Sequence, residues 1–255
     1  DFERSYKMLG LPQKTAILEL GTPSDIITDD ANNVYLASGN YIHIYDYKGS
    51  QQKPINIGGP TTALELDINN NLYVATGNYV KEFSNTGSLI RTFSAPNAID
   101  VETDIMGNVY IAHGTNGKEA VDEYSSSGQF LRTLPTNSIG LTSLTTDSKC
   151  NVYIANNITG NGSGSITEYA PYSTAYPQQA IKTFQSWTYT NGSSYITTDK
   201  ADNLYVANVG SNTVAEFTSN GLLKNVWDNS AGINGPSHIS IDDSGRVYVS
   251  NFGGG

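Results

Sequence analysis

Asp67-Ile68-Asn69-Asn70-Asn71-Leu72-Tyr73-Val74-Ala75 states the rule on which the chain is built. An acid comes first, a short polar run follows, and apolar and aromatic residues close the stretch. Asn and Gly tolerate the positive φ of a tight turn, and a run such as Leu-Tyr-Val suits a half-buried strand. The stretch therefore reads as a turn feeding a strand. It recurs at Asp29…Tyr35, Asp104…Tyr110, Asp147…Tyr153, Asp199…Tyr205 and Asp242…Tyr248, always with Asp six residues before Tyr. Between copies the spacing drifts from 37 residues (67 to 104) to 52 residues (147 to 199). A fixed core with elastic spacers is one structural unit repeated, and periods of this size predict a propeller or solenoid.

Outward from the motif, each copy predicts four short strands. The first ends at the motif Asp, over 24–28, 62–66, 99–103, 142–146, 194–198 and 237–241. Three residues before each Tyr stand Asn32, Asn70, Gly107, Cys150, Asp202 and Gly245, the left-handed position of the turn. The motif Asp can fold its carboxylate back onto the turn amides. The second strand is the motif's own apolar run. The third carries Ile42…Tyr45, Val80…Phe83, Val121…Tyr124, Ile166…Tyr169 and Val214…Phe217. After a glycine turn, the fourth covers 89–93, 130–134, 181–184 and 222–226. No stretch holds a helical period.

Four-stranded antiparallel units repeated six times predict an all-β, six-bladed β-propeller, which protects its sheet edges by radial closure. One domain then spans 1–255, with blades near 22–58, 60–94, 96–135, 139–184, 193–227 and 236–255 plus 1–20. The sixth copy has only two strands, so residues 2–8 and 15–20 are expected to complete it. The closing blade is thus shared between N- and C-terminal strands. If those strands come from a neighbouring copy instead, the contact propagates into a filament.

The chain has 255 residues, 38% of them apolar, which suffices for a core. Its net charge of −10 repels nucleic-acid phosphates and anionic membranes. No run approaches the ~18 apolar residues of a spanning helix. Abundant Asn, Ser, Thr, Gly and Tyr favour an extracellular or cell-surface location, and Asn157, Asn161 and Asn191 begin N-x-[ST] sequons, candidate glycosylation sites. The lone Cys150 excludes an internal disulfide framework and reads as a bystander thiol.

The run Pro236-Ser237-His238-Ile239-Ser240-Ile241-Asp242, continuing through Gly245-Arg246-Val247-Tyr248-Val249-Ser250, resembles the NHL-repeat family. The resemblance covers nearly the whole chain and implies the propeller fold. It is nearly silent about activity, because relatives include scaffolds, receptor sensor domains, lactonases and lyases.

The functional face is expected where loops leave second strands and enter first strands. There lie Ser38, Thr76, His113, Asn156, Asn208 and Asn251, each following the motif's small residue. Four residues before the motif Asp, towards the channel, lie Asp25, Ala63, Asp100, Ser143, Tyr195 and His238; two before it lie Ile27, Glu65, Glu102, Thr145, Thr197 and Ser240. No cofactor is firmly indicated; the candidate is a divalent ion (Ca²⁺, Mg²⁺ or Zn²⁺) on Asp25, Glu65, Asp100, Glu102 and His238. The alternative for the same residues is a solvated channel with turn partners. The resemblance implies several channel histidines around zinc for a peptide-amidating lyase. The three here, His43, His113 and His238, do not meet that pattern, and the Glu, Asn, Asn, Asp metal set of gluconolactonase-like relatives is not matched residue by residue. Loop aromatics Tyr172, Tyr176, Trp187 and Tyr189, with His113, Asn156 and Asn208, suit a protein or carbohydrate partner. The sequence thus favours an extracellular binding, scaffold or self-assembling module over an enzyme. A metal-dependent lactonase or lyase and a sensor domain of a larger receptor are the alternatives.

Overall fold

A computed structural model describes residues 24–46, 48–115, 118–136, 140–156, 165–173, 180–184, 193–241 and 245–251. All six motif turns place the expected residue at positive φ: Asn32 at 60°, Asn70 at 58°, Gly107 at 77°, Cys150 at 62°, Asp202 at 60° and Gly245 at 76°. Each turn then delivers its apolar run into a second strand.

The first blade is β1 (Asp25–Thr28), β2 (Val34–Ser38), β3 (Tyr41–Tyr45) and the short β4 (Ile55–Asn56). The second is β5 (Thr61–Leu66), β6 (Leu72–Thr76), β7 (Tyr79–Phe83) and β8 (Leu89–Ser94). The third is β9 (Ala98–Thr103), β10 (Val109–His113), β11 (Ala120–Tyr124) and β12 (Phe130–Leu134). The fourth is β13 (Leu141–Thr146), β14 (Val152–Asn156), β15 (Ser165–Tyr169) and β16 (Ala180–Phe184). The fifth is β17 (Ser193–Thr198), β18 (Leu204–Asn208), β19 (Thr213–Phe217) and β20 (Leu223–Trp227). A three-residue 3₁₀ turn, Asn229–Ala231, precedes β21 (Pro236–Ile241) and β22 (Val247–Asn251).

Within each sheet the strands stand in chain order. The blade count differs from expectation. Among the described residues five four-stranded blades are present rather than six, and β21–β22 form a two-stranded sheet. Among the described residues from Pro236 onward only β21 and β22 form, so the sixth repeat contributes two strands. The segments expected to complete it, 2–8 and 15–20, lie outside the described residues. The chain divides into two compact units, one carrying β1–β12 and the other β13–β22.

The core lies between consecutive sheets of a unit. Tyr35, Ile42 and Ile57 of the first blade pack with Leu64, Leu72, Val74 and Phe83 of the second. Tyr73, Val80 and Phe93 pack with Val101, Val109 and Ile111 of the third. In the other unit Tyr153, Ile166 and Phe184 meet Ile196, Leu204 and Phe217, while Tyr205 and Val214 meet Ile239 and Val249. Tyr35, Tyr73, Tyr153 and Tyr205 thus bury their rings against the following blade, at about 1.5–3 kcal/mol for each large apolar side chain removed from water.

Candidate functional site

The motif acid is a structural group. Asp104 Oδ1 accepts the N–H of Met106 and of Asn108, both at 2.9 Å; Oδ2 accepts the Asn108 amide at 2.8 Å and the Tyr110 hydroxyl at 3.2 Å. Asp29, Asp147 and Asp199 repeat the pattern with Tyr35, Tyr153 and Tyr205. One carboxylate therefore closes the turn and anchors the buried phenol. Burial, with the neighbouring Asp29, pushes the Tyr35 hydroxyl up to about 12.

A buried charge pair, missed in the sequence, backs this network on the third and fourth strands. Glu123 stands opposite Tyr110 and accepts Arg132 Nε at 2.6 Å, with both side chains buried. Glu82 meets Arg91 Nε at 2.7 Å, an ion pair without hydrogen-bond alignment, and Glu216 accepts Lys224 Nζ at 2.6 Å. Burial holds the Glu82, Glu123 and Glu168 carboxyls above the usual carboxylate range, although a basic neighbour pulls each back. At Glu216 burial also pushes up, but hydrogen bonds from Lys224, Asn225 and Tyr205 outweigh it and the value falls. The signal was present as Glu before the third-strand aromatic and Arg or Lys in the fourth strand.

Of the five candidate metal ligands, Asp25, Glu65 and Asp100 come together on the inner strands β1, β5 and β9. Their charges act on one another. Asp25 is 5% exposed. Its Oδ1 accepts Ile26 N–H and its Oδ2 accepts Leu64 N–H of the next blade, both at 2.7 Å. Burial pushes Asp25 up to about 7 against those two hydrogen bonds, and Asp100 adds to the rise. Burial, then Asp100 and Asp25, hold Glu65 well above its ordinary value. Asp100 accepts Val101 N–H at 2.9 Å. Glu102 stands opposite Tyr110 on β9. His238 belongs to the other unit, where its ring lies 4.9 Å from that of Tyr195. Among the described residues no group of three or more His, Cys, Asp or Glu could hold a metal ion. The same ring position also ties blades together through Ser143, whose hydroxyl accepts Ile196 N–H at 3.4 Å.

The candidate binding residues separate. His113 Nε2 lies 3.0 Å from Asp122 Oδ2, and Asp122 Oδ1 accepts the Thr133 hydroxyl at 2.6 Å. Burial raises the Asp122 carboxyl, but these partners outweigh it and bring it below the ordinary value. Asn156 ends β14 with its Oδ1 buried and without a hydrogen-bond partner; Asn208 ends β18 with Oδ1 on Ser211 N–H and Nδ2 buried and unpartnered. Tyr172 is half-buried. Tyr176, Trp187, Tyr189, Asn157, Asn161 and Asn191 lie outside the described residues. His43 is half-buried, with Nδ1 3.0 Å from Gln51 Nε2, and its ring is 6.3 Å from that of Tyr41. Three exposed aromatics among the described residues were missed: Phe130, and Tyr41 and Tyr79, the last two repeated as Gly39-Asn40-Tyr41 and Gly77-Asn78-Tyr79.

No protein-family model and no curated protein matches the chain. Solved structures do. A streptogramin B lyase superposes with a TM-score of 0.74 at 15% identity, over 98% of this chain and 81% of its own. A nidogen/laminin complex matches with a TM-score of 0.64 at 15% identity, over 81% and 80%. A luciferin-regenerating enzyme matches with 0.61 at 12% identity, over 91% and 92%. Identities this low show the fold alone: an all-β propeller of four-stranded antiparallel blades. Among the described residues no helix is long and apolar enough to cross a membrane.

Proposed function

We propose that the chain is a non-catalytic propeller of the NHL-repeat type, one domain over 1–255, acting outside the cell or at its surface as a binding or scaffold module. One observation carries this reading. The inner-strand acid best placed for chemistry, Asp25, has each oxygen on a backbone N–H, one of them on the next blade. A carboxylate held in this way is a tether between strands, and it leaves the exposed faces as the working surface. The Asn-, Ser- and Thr-rich composition and the sequons at Asn157, Asn161 and Asn191 accord with export. Assembly enters through the sixth blade: residues 2–8 and 15–20, from the same chain or a neighbouring one, would pair at the edge of β22 and in the second case build a polymer. Metal analysis and melting of the purified protein test the reading. The module is expected to melt at the same temperature with and without chelator. Stoichiometric metal and a chelator-induced drop overturn it, since a ligand that prefers the native state stabilises it.

A second reading, a metal-dependent lactonase or lyase, is favoured by the His113–Asp122–Thr133 chain, in which a carboxylate orients an imidazole as in general-base sites. Lyases also stand among the structural neighbours. An elimination or lactone-opening assay comparing wild type with His113→Gln checks this reading.

A further inference from the structure

On the fourth strands β8 and β16 a cation stands directly opposite a buried glutamate of the third strand: Arg91 opposite Glu82, and Lys182 opposite Glu168. The two blades resolve this pairing differently. Arg91 reaches two partners at once. Its Nε lies 2.7 Å from Glu82 Oε2, and its Nη1 donates to the Ser126 carbonyl of the next blade at 3.4 Å. A guanidinium is a fork of donors and can serve both. Lys182 has a single amine. Its Nζ donates to the Ser219 carbonyl of the fifth blade at 3.2 Å and lies 5.3 Å from the centre of the Phe184 ring. Glu168 is left with Oε2 buried and without a hydrogen-bond partner.

Ser126 and Ser219 hold the same place in equivalent turns. In each, the turn glycine, Gly128 or Gly221, donates its N–H to the carbonyl of Ser125 or Thr218 at 2.7 Å. The cation of the preceding blade passes over that glycine. A Cβ at Gly128 would meet Arg91 Nη1 at 2.2 Å, and one at Gly221 would meet Lys182 Cδ at 3.3 Å. The cation thus straps one blade to the turn of the next, and in the fourth blade it does so at the expense of Glu168. Around that carboxyl, Tyr153 stands opposite on β14 and gives its hydroxyl proton to Asp147 at 3.2 Å. Asp147 repels the Glu168 charge, while Lys149 and Lys182 attract it. Asp202, 3.5 Å from Lys149 Nζ, acts on Tyr153. From the fifth blade the facing side chains are apolar, among them Ile196, Ala215 and Phe217. Burial is the strongest influence and raises the Glu168 carboxyl above the usual carboxylate range.

From this geometry we infer that Lys182 is a proton-controlled latch between the fourth and fifth blades. With Glu168 protonated, the amine stays on Ser219 and the two blades are strapped together. When Glu168 ionises, a carboxylate competes with a neutral carbonyl for one ammonium. In so buried a place the attraction of opposite charges decides for the carboxylate, since an unpaired buried charge is costly. The crossing is short, because directly opposed residues on neighbouring strands stand about 5 Å apart and a lysine side chain spans that distance. The amine then moves to Glu168, and the 218–221 turn loses its strap. A lysine must choose between the two seats, whereas the Arg91 fork holds both. In the chain, β16 lies between the segment carrying Tyr172 and Tyr176 and the one carrying Trp187 and Tyr189. The latch therefore sits on the strand from which the candidate loop aromatics extend.

The test follows the Asn220 amide of the whole chain by NMR between about pH 4 and 8, because this N–H shares a peptide plane with the Ser219 carbonyl. In wild type its shift is expected to titrate in step with the Glu168 carboxyl carbon, above the usual carboxylate range. In Glu168→Gln it should stay flat at the low-pH value. In Lys182→Arg it should also stay flat, since a guanidinium keeps both partners. In Lys182→Met, which has no amine, it should sit near the high-pH value throughout. A flat wild-type Asn220 shift, a titration that survives in Glu168→Gln, or one that survives in Lys182→Arg overturns the inference. Should Glu168→Gln fail to fold, wild type and Lys182→Arg decide by themselves.

Discussion

The first and third blades carry the same turn and differ in what stands behind it. In both, the motif Asp closes the turn and accepts its Tyr hydroxyl. Behind Tyr110 stands Glu123, locked to Arg132; opposite Tyr35 stands Ile44, which simply packs in the core. The blade forms either way. The turn network is thus the invariant device, and the buried charge pair is an elaboration that one apolar residue replaces. This agrees with the general finding that a buried ion pair is dispensable as a pair yet costly to break by halves.

Breaking the third blade by halves should give the largest effect. Arg132→Leu leaves Glu123 buried and unpaired and is expected to cost about 3–5 kcal/mol in denaturant melts. Adding Glu123→Ile, which copies the first blade, should recover part of that loss. A double variant less stable than Arg132→Leu alone would break the comparison.

The turn itself comes next. Asp104→Ala orphans two backbone donors and the Asn108 amide and leaves the Tyr110 hydroxyl only Glu123 as acceptor, and should cost about 2–4 kcal/mol, since each buried unsatisfied group costs about 1–3. The same change at the more exposed Asp29 should cost less, because water can reach the freed donors. Equal losses in the two blades would remove burial as the cause.

The inner strands of the same blades predict a pH dependence. Asp25 has its folded-state value raised to about 7, and Glu65 is raised as well. The native state therefore binds protons that the unfolded chain releases at ordinary carboxylate values. That contribution is full at low pH and is lost as pH rises through about 7. Melting temperature followed from pH 4 to 8 should fall more steeply in wild type than in Asp25→Asn. Parallel curves would sink the claim. Smallest of all, Tyr41→Ala should change unfolding by about 0.5 kcal/mol or less, as an exposed substitution away from the core. A larger loss would mean that this ring supports the first blade.

The repeat was legible because its causes are local. A left-handed turn residue, a carboxylate within reach of amides two and four residues on, and alternating apolar residues act within about ten residues. All six turn positions, and the strands beside them in the described residues, could therefore be read from the chain. The candidate site was legible only in part. Composition and spacing brought Asp25, Glu65 and Asp100 to consecutive inner strands, but they could not tell that Asp25 reaches the backbone of the next blade. That depends on the distance between sheets. Likewise Glu123 and Arg132 look like ordinary polar strand residues until the fourth strand folds over the third and buries both.

By itself, then, the sequence determined the repeating unit, its turn chemistry and its four-stranded plan, because short-range sterics and hydrogen bonds decide them. The tertiary structure decided which polar groups are tethers and which face solvent. It made Asp25 a strap between blades, buried Tyr35, Tyr73, Tyr110, Tyr153 and Tyr205, and left Tyr41 and Tyr79 exposed. Burial is a property of neighbours remote in the chain, and no local pattern carries it.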